Sequence, residues 1–273
     1  LIYGALTETS IGKLFLAGVI PGLLFALAFM VFIFVRCVLR PELAPKNRTT
    51  VSKIDAFLKV LSLWPFILLI TAIMGSIAFG IATPTEAAGI GVLATVLVGY
   101  FWGDLTFKIL ARSIFSSTLL FASILFVVLG ATVLAQAISL LGIPQTILKE
   151  VSSANLGPLL VLSLIILIYL VLGCFFDGLS LMIMTLPIVV PLMVGLDYDP
   201  IWLGVVITIL IEIGQITPPV GLNLSVLVSV TKDDVSLGES AMAAIPYWLI
   251  LLTGILVLVG FPQLALYLPT TML

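Results

Sequence analysis

The sequence contains no histidine, and only 9% of its 273 residues are charged. Without histidine the chain cannot build imidazole metal sites or histidine proton relays. Its two cysteines, Cys37 and Cys174, are too few for a disulfide framework or a zinc site. The sequence also has no nucleic-acid-binding footprint, and no nucleophile–base pair, phosphate loop or metal cluster. These absences argue against an enzyme and against a nucleic-acid partner.

Apolar residues dominate the chain instead. They make up 62% of the sequence, and the mean hydropathy is +1.37. No soluble domain needs so much apolar surface, so we expect an all-α polytopic membrane protein embedded in a lipid bilayer. The chain begins at Leu1 without the basic segment of a signal peptide, and we interpret it as the later part of a longer polypeptide.

Several apolar runs are long enough to cross a bilayer. The run from Val60 to Tyr100 is too long for one crossing, and the sequence G-I-A-T-P-T-E-A at Gly80–Ala87 divides it in two. Glu86 in this interruption fits a capping box that starts the following helix. We predict single spans at Gly12–Leu39, Ile114–Leu141 and Ile245–Leu268, and a polar connection at Gly142–Gly157.

The basic residues predict the orientation of these spans. Six of the eleven Lys and Arg residues fall between Arg36 and Lys59. The positive-inside rule places this loop in the cytoplasm, and the parity of the crossings then places Thr270–Leu273 in the periplasm.

Two short apolar arms at 158–195 predict a re-entrant hairpin. Each arm has about 15 residues, fewer than the roughly 20 that a full crossing needs. The turn G-C-F-F-D-G-L-S at Gly173–Ser180 joins them and carries Asp177. A carboxylate inside a membrane suggests a function such as cation binding. Alternatively, Asp177 caps the second arm through the amide of Leu179 or Ser180, and both roles are compatible.

A helix broken by prolines is predicted at 201–230. The sequence Q-I-T-P-P-V-G-L-N at Gln215–Asn223 interrupts it, with Gly214 and Gly221 on either side of the prolines. Oxygens of Thr217, Asn223 and the freed carbonyls suit Na⁺, and the amides that start the second half suit a carboxylate. The alternatives are a simple proline kink and, for Glu212 just before the break, a proton or ion site or a polar contact between helices.

One internal similarity suggests inverted repeats. Ser10-Ile11-Gly12-Lys13 precedes an Ile-Pro pair at Ile20-Pro21, and Ser236-Leu237-Gly238-Glu239 precedes another at Ile245-Pro246. The loop charges make the first span run inward and the last run outward, as in inverted-topology transporters. We therefore expect a second broken helix, with a Gly/Pro-rich interruption, within about 20 residues before Leu1, preceded by another short-armed hairpin.

Three motifs in this order resemble a known family. They are G-I-A-T-P-T-E-A-A-G at Gly80–Gly89, L-P-I-V-V-P-L at Leu186–Leu192 and G-Q-I-T-P-P-V-G-L-N-L at Gly214–Leu224. The opening L-I-Y-G-A-L-T-E-T-S-I-G-K-L-F-L-A-G-V-I-P-G-L-L adds to the likeness, which covers essentially the whole chain. The sequence resembles the large membrane subunit of tripartite ATP-independent periplasmic (TRAP) transporters, the DctM-like family.

The resemblance implies an inverted-repeat, elevator-type secondary transporter in the bacterial inner membrane, in which a transport domain moves against a scaffold. It implies Na⁺ as the coupling ion and no other cofactor, a periplasmic substrate-binding protein, and a small membrane subunit that is sometimes fused upstream. The substrates would be carboxylates of the C4-dicarboxylate or sialic acid class. The family's first hairpin and first broken helix are absent here, so half of the expected site would come from outside this chain.

The resemblance also divides the chain. Residues 1–42 would end the first repeat, 43–107 would be scaffold-like helices of the second, 108–232 would hold the transport-domain elements, and 233–273 an amphipathic connection and the last span. The predicted substrate and ion site comprises Gly173, Asp177, Ser180, Gly214, Thr217, Pro218, Pro219, Gly221 and Asn223, with Asp177, Ser180, Thr217 and Asn223 as the Na⁺ candidates. A proton-coupled carrier that uses Asp177 or Glu212, and a passive channel, remain as alternatives.

Overall fold

The computed structural model describes residues 1–43, 62–230 and 236–272. From residue 44 onward the predicted cytoplasmic basic loop lies outside the described residues, and so does the segment after the broken helix, Thr231–Asp234. The described ranges contain twelve α-helices and no strand: α1 Ile2–Thr7, α2 Ile11–Leu39, α3 Trp64–Ala78, α4 Pro84–Trp102, α5 Phe107–Leu140, α6 Ile143–Ser153, α7 Pro158–Gly173, α8 Gly178–Val194, α9 Pro200–Gln215, α10 Leu222–Val230, α11 Leu237–Gly260 and α12 Gln263–Met272.

Four of these helices, α2, α4, α5 and α11, are long and apolar enough to cross a membrane. The helix α5 shows why a bilayer is needed, because Ala131 and Ile138 are its only buried residues and most of its leucine and phenylalanine side chains face outward. Such a surface is stable against hydrocarbon and not against water. The predicted polytopic helical membrane protein is therefore confirmed.

The chain forms two compact units. The unit built on Met30–Ala122 contains α3 and α4, which pack against each other. The N-cap of α4 is Thr83, whose hydroxyl accepts from the Glu86 amide at 3.4 Å while the Glu86 carboxylate accepts from the Thr83 amide at 2.8 Å. The predicted division of the long apolar run and the capping role of Glu86 are thus confirmed.

The second unit, Leu1–Phe29 with Ser123–Thr271, is centred on α9. Eleven of the sixteen residues of α9 are buried, because α7, α8, α10 and α11 all pack against it. Within this helix Thr208 and Glu212, one turn apart, form the exposed stripe. A helix that is apolar on nearly all sides belongs in the centre of a bundle.

In the same unit α2 and α11 run antiparallel. The Phe25 ring lies directly against Gly254, so closely that a Cβ at this position would overlap the ring. The ring centroids of Phe29 and Tyr247 are 5.5 Å apart. Residue numbers therefore rise along α2 in the direction in which they fall along α11, which agrees with the opposite directions that the loop charges predicted for these two spans.

The similar segments also begin their helices alike. The amide of Lys13 donates to the Ser10 hydroxyl at 3.4 Å just before α2, and the amide of Glu239 donates to the Ser236 hydroxyl at 3.2 Å just before α11. Each helix has a proline in its interior, Pro21 in α2 and Pro246 in α11.

Most of the predicted polar connection at Gly142–Gly157 is the helix α6. Gly142 adopts φ 64°, a left-handed conformation that suits glycine, and Pro144 occupies the first turn, where its missing N–H has no cost. Ile147, Leu148 and Val151 then pack against the core, while the charged side chains of α6 stay exposed.

Two predicted helix boundaries also differ. Helix α5 begins at Phe107 and not at residue 114, because Thr106 caps it by accepting from the Ile109 amide at 3.3 Å. The last span was predicted from residue 245 to 268, but α11 runs from Leu237 to Gly260. The Ser236 capping box starts it earlier, and Pro262 ends it because the residue before a proline disfavours helical geometry.

Candidate functional site

The segment predicted as a re-entrant hairpin consists of two short helices. Helix α7 has 16 residues and α8 has 17, and the four residues 174–177 join them. At 1.5 Å per residue each arm is about 25 Å long, less than the roughly 30 Å of hydrocarbon. The turn closes when the amides of Phe175 and Phe176 donate to the Leu172 carbonyl, each at 3.0 Å.

Asp177 is the N-cap of the second arm. Its Oδ2 accepts from the Ser180 amide at 2.9 Å, which confirms the capping role. The side chain is half-buried, and no cationic side chain of the described residues acts on it. Because the cap leaves lone pairs on the carboxylate free, the cap does not preclude the predicted ion role.

A hydrogen bond inside the hairpin joins its two arms. This bond was not predicted from the sequence. The hydroxyl of Tyr169 in α7 is hydrogen-bonded to the hydroxyl of Thr185 in α8. The Thr185 hydroxyl also donates to the Leu181 carbonyl at 2.8 Å, and Tyr169 is fully buried. A tyrosine in an otherwise apolar arm was the available signal, since a buried phenol needs a partner.

The break between α9 and α10 lies where the proline pair predicted it. Helix α9 ends in a tightened turn. The Ile216 amide donates a hydrogen bond to the Ile213 carbonyl at 3.2 Å, and the Thr217 amide donates one to the Gly214 carbonyl at 3.1 Å. Pro218 and Pro219 follow and have no amide hydrogen to continue the helix. Gly221 then takes φ 46°, a left-handed conformation that allows the chain to enter α10.

The hairpin turn and the break are in direct contact. A Cβ built on Gly214 would lie 2.6 Å from the Cα of Gly173, and one built on Gly173 would lie 2.9 Å from the Cα of Gly214. The amide of Val220 donates to the carbonyl of Cys174 at 3.2 Å. The hairpin turn and the break, whose residues were predicted to share one site, therefore lie next to each other.

A second contact extends this junction to the start of α8. A Cβ on Gly178 would overlap Ile211 Cγ2 and would lie 2.5 Å from Gln215 Nε2. The Gln215 amide group therefore lies against the first residue of the second arm. Gln215 belongs to the break motif but not to the predicted site residues. The sequence of the motif does not reveal the direction in which the Gln215 side chain points.

The remaining predicted site residues surround this junction with different exposure. Thr217 is half-buried, and its hydroxyl donates to the Ile213 carbonyl at 2.6 Å, so its lone pairs stay available. Pro218, Pro219 and Asn223 are exposed. Glu212 lies on the exposed stripe of α9, while its neighbour Ile211 points at Gly178.

The junction combines features that suit ions of both signs. The helices α8 and α10 both begin here, and the amides of a helix's first turn favour an anion. Asp177, the hydroxyl oxygens and the carbonyls of the break are hard oxygen ligands that favour a cation. No group of three or more Cys, Asp or Glu side chains that could hold a metal ion occurs in the described ranges, so a cation here would need backbone and hydroxyl oxygens.

Two apolar cavities in the same unit lie elsewhere. One, of about 360 Å³, lies between α1, α2 and α9, and another, of about 400 Å³, lies between α2 and α11. They share Pro21 and Phe25 in their walls. Neither is lined by a predicted site residue, so the polar junction and these cavities are separate features.

The family model and three curated relatives that match this chain all belong to one transporter family, and each covers nearly the whole chain. Residues 1–264 match the family model described as tripartite ATP-independent periplasmic transporter, DctM component. A C4-dicarboxylate TRAP transporter large permease protein of Pseudomonas aeruginosa is 34% identical over 98% of the chain. A sialic acid permease of Vibrio cholerae is 32% identical and an ectoine/5-hydroxyectoine permease of Ruegeria pomeroyi is 31% identical, each over 98% of the chain. The chain spans 62% of the length of each of these relatives.

Proposed function

Because the chain belongs to the DctM component family of the tripartite ATP-independent periplasmic transporters, we propose that it forms part of a Na⁺-coupled importer of a carboxylate-bearing organic acid. Members of this family are integral inner-membrane transporters rather than enzymes. One observation carries the proposal, namely the contact between hairpin turn and proline break made by Gly173, Gly214 and the Val220–Cys174 hydrogen bond.

The proposed Na⁺ ligands are Asp177, Ser180, Thr217 and Asn223, with carbonyls of the break. Asp177 supplies the negative charge, and its capping bond fixes the carboxylate at the turn. The Thr217 hydroxyl donates its hydrogen to the Ile213 carbonyl, so its lone pairs remain free to coordinate a cation. Oxygen ligands of this kind match a hard cation, and unwound carbonyls bind Na⁺ in transporters with discontinuous helices.

The proposed substrate group is a carboxylate. Amides at the start of α10, and those at the start of α8 other than the Ser180 amide that Asp177 caps, are unsatisfied by their own helices and lie at the positive end of the helix dipole. C4-dicarboxylates and sialic acid, after which two relatives are named, present such a group. A bound Na⁺ beside Asp177 would offset the repulsion between the aspartate and the substrate carboxylate, which gives a physical reason for coupling.

The proposal includes the assembly that the family resemblance implies. A periplasmic binding protein would deliver the acid, and a small membrane subunit would complete the transporter. An elevator movement, in which the unit that carries the hairpin and broken helix shifts against a scaffold, would expose the junction alternately to the two sides.

The test is uptake by the complete transporter in liposomes supplied with its binding protein. Candidate acids are offered with an inward Na⁺ gradient, with Na⁺ at equal concentration on both sides, and with K⁺ in its place. We expect accumulation of one acid only with the Na⁺ gradient. Accumulation driven by a pH gradient alone would support the proton-coupled carrier, and equilibration without any gradient would support the channel.

A further inference from the structure

Gly173 and Gly214 bring the hairpin turn and the break closer than any other residue pair would allow. The last residue of α7 and the penultimate residue of α9 cross with their backbones touching. A Cβ on Gly214 would be 2.6 Å from Cα, 2.8 Å from C and 2.9 Å from O of Gly173. These are backbone atoms, so no side-chain rotation could relieve the clash. In membrane proteins such small-residue contacts are where helices associate most closely.

Two further contacts flank this crossing. On one side the Val220 amide donates to the Cys174 carbonyl, which ties the residue after the prolines to the hairpin turn. On the other side Gly178 admits the side chains of Ile211 and Gln215 of α9 into the space that a Cβ would occupy. The hairpin therefore meets α9 and the break at both ends of its turn, at the end of α7 and at the start of α8.

The rest of the hairpin is held as well. Both arms pack against α9, and the Tyr169–Thr185 hydrogen bond joins the arms to each other. Lifting the turn from the break would separate the glycines and leave the Val220 amide and Cys174 carbonyl without each other. Within a membrane that loss is costly, because no bulk water replaces the partner.

From these contacts we propose that Gly173 and Gly214 are positioning residues that hold hairpin turn and break together throughout the transport cycle, so that the hairpin is not a gate. This inference rests on the proposed transport function. Solute enters and leaves the junction by movement of the whole unit or of another element, while the hairpin turn stays on the break.

A cross-link between turn and break tests this directly. In the complete transporter, Cys37→Ser leaves Cys174 as this chain's single thiol, and Val220→Cys adds a second thiol on the residue whose amide donates to the Cys174 carbonyl. A short bifunctional methanethiosulfonate reagent joins the pair and is removed by reduction. Uptake is measured on cross-linked and reduced protein, and the cross-linking yield is measured with and without Na⁺ and substrate. The variant with Cys37→Ser alone, treated identically, is the control.

We expect efficient cross-linking that Na⁺ and substrate leave unchanged, and uptake by the cross-linked protein close to that of the reduced protein. Loss of uptake on cross-linking, restored by reduction, would show that the hairpin must open and would overturn the inference. Failure to cross-link would overturn it too, since the contact itself would be absent. If the unmutated transporter, assayed alongside, transports no acid, the proposed function fails, while the cross-linking yield of the Val220→Cys variant still tests the contact.

Glycine variants provide the second test. Gly214→Ala should force the turn from the break, reduce the yield of the cross-link when combined with Cys37→Ser and Val220→Cys, and raise the Na⁺ concentration for half-maximal uptake by about tenfold or more. Gly130→Ala is the matched control, because it lies inside a helix with nothing within 4 Å of its Cβ position. A merely structural role would lower the amount of folded protein and leave the Na⁺ dependence unchanged. Wild-type Na⁺ dependence in Gly214→Ala would contradict the positioning role.

Discussion

The indole Nε1 of Trp202 donates a hydrogen bond to the carbonyl oxygen of Leu258 at 3.0 Å, which joins the first turn of α9 to the last turn of α11. Carbonyls in the last turn of a helix have no partner within that helix. The indole therefore satisfies a group that would otherwise be buried without one. The bond also fixes the position of α9 along the axis of α11.

Trp202→Phe should destabilise the protein, because it keeps an aromatic ring and removes the donor. We expect a loss of about 1–3 kcal/mol in the free energy of unfolding, seen as a lower midpoint of thermal unfolding in detergent. Trp248→Phe is the control, since Trp248 packs against the same core without a hydrogen bond in the described part of the chain. Equal losses in both variants would attribute the effect to ring size alone.

Asp177→Asn should remove the charge and keep the cap, because asparagine caps helices as well as aspartate does. We expect Na⁺-dependent uptake to fall about tenfold or more, as for loss of a charged ligand, with normal membrane insertion. Asp199→Asn is the matched control, since Asp199 caps α9 by accepting from Ile201 and Trp202 away from the junction. Wild-type uptake and Na⁺ dependence in Asp177→Asn would leave this residue only its capping role.

The Tyr169–Thr185 hydrogen bond can be measured by a double-mutant cycle. Tyr169→Phe and Thr185→Val each remove one hydroxyl, and the double variant removes both. We expect a coupling free energy of about 0.6 kcal/mol, the average for hydrogen bonds between membrane helices, and no more than about 1.7 kcal/mol. Unfolding midpoints of the four proteins provide it, and purely additive effects would mean that the two hydroxyls do not interact.

Glu212→Gln separates Na⁺ coupling from the proton-coupled alternative. The Glu212 side chain faces outward from α9, whereas its neighbour Ile211 faces the hairpin. We expect Na⁺-driven uptake to persist in this variant, with rates within about threefold of wild type, as for changes outside the binding site. Abolished uptake together with lost pH dependence would instead identify Glu212 as the proton carrier.

The orientation of the chain is open to direct measurement. Cysteine placed at Lys46, which lies outside the described residues, should react with impermeant thiol reagents only from the cytoplasmic side, and cysteine at Thr270 only from the periplasm. Both experiments use the Cys37→Ser background, and Cys174 alone is the control. A periplasmic Lys46 position would reverse the whole predicted topology.

The sequence allowed prediction of the features that local chemistry determines. Pro218 and Pro219 cannot continue a helix, so the break could be placed, and the turn sequence at Gly173–Ser180 separates two apolar arms, so the boundary between α7 and α8 could be placed as well. Local signals that were present in the sequence were not used for two helix starts. The Ser236–Glu239 capping box marks the start of α11, and Gly142 followed by Pro144 marks the start of α6.

The details of the junction could not be predicted, because they depend on residues distant in sequence. The transporter hypothesis implied that the hairpin turn and the break share one site. The contact between Gly173 and Gly214, however, depends on how α7 packs against α9. The position of the Gln215 side chain and the hydrogen bond of the Tyr169 hydroxyl also depend on packing between helices. The broken helix expected before Leu1 and the predicted binding roles stay predictions.

The burial of α9 has a consequence for the order in which the protein is made. The hairpin helices α7 and α8 leave the ribosome before α9, so they can receive it at once, whereas α11 is synthesised afterwards. Until α11 is made, the Trp202 indole has no Leu258 carbonyl, and the side of α9 that packs against α11 lacks its partner. A nascent chain arrested before Ser236 would therefore leave that side of α9 uncovered.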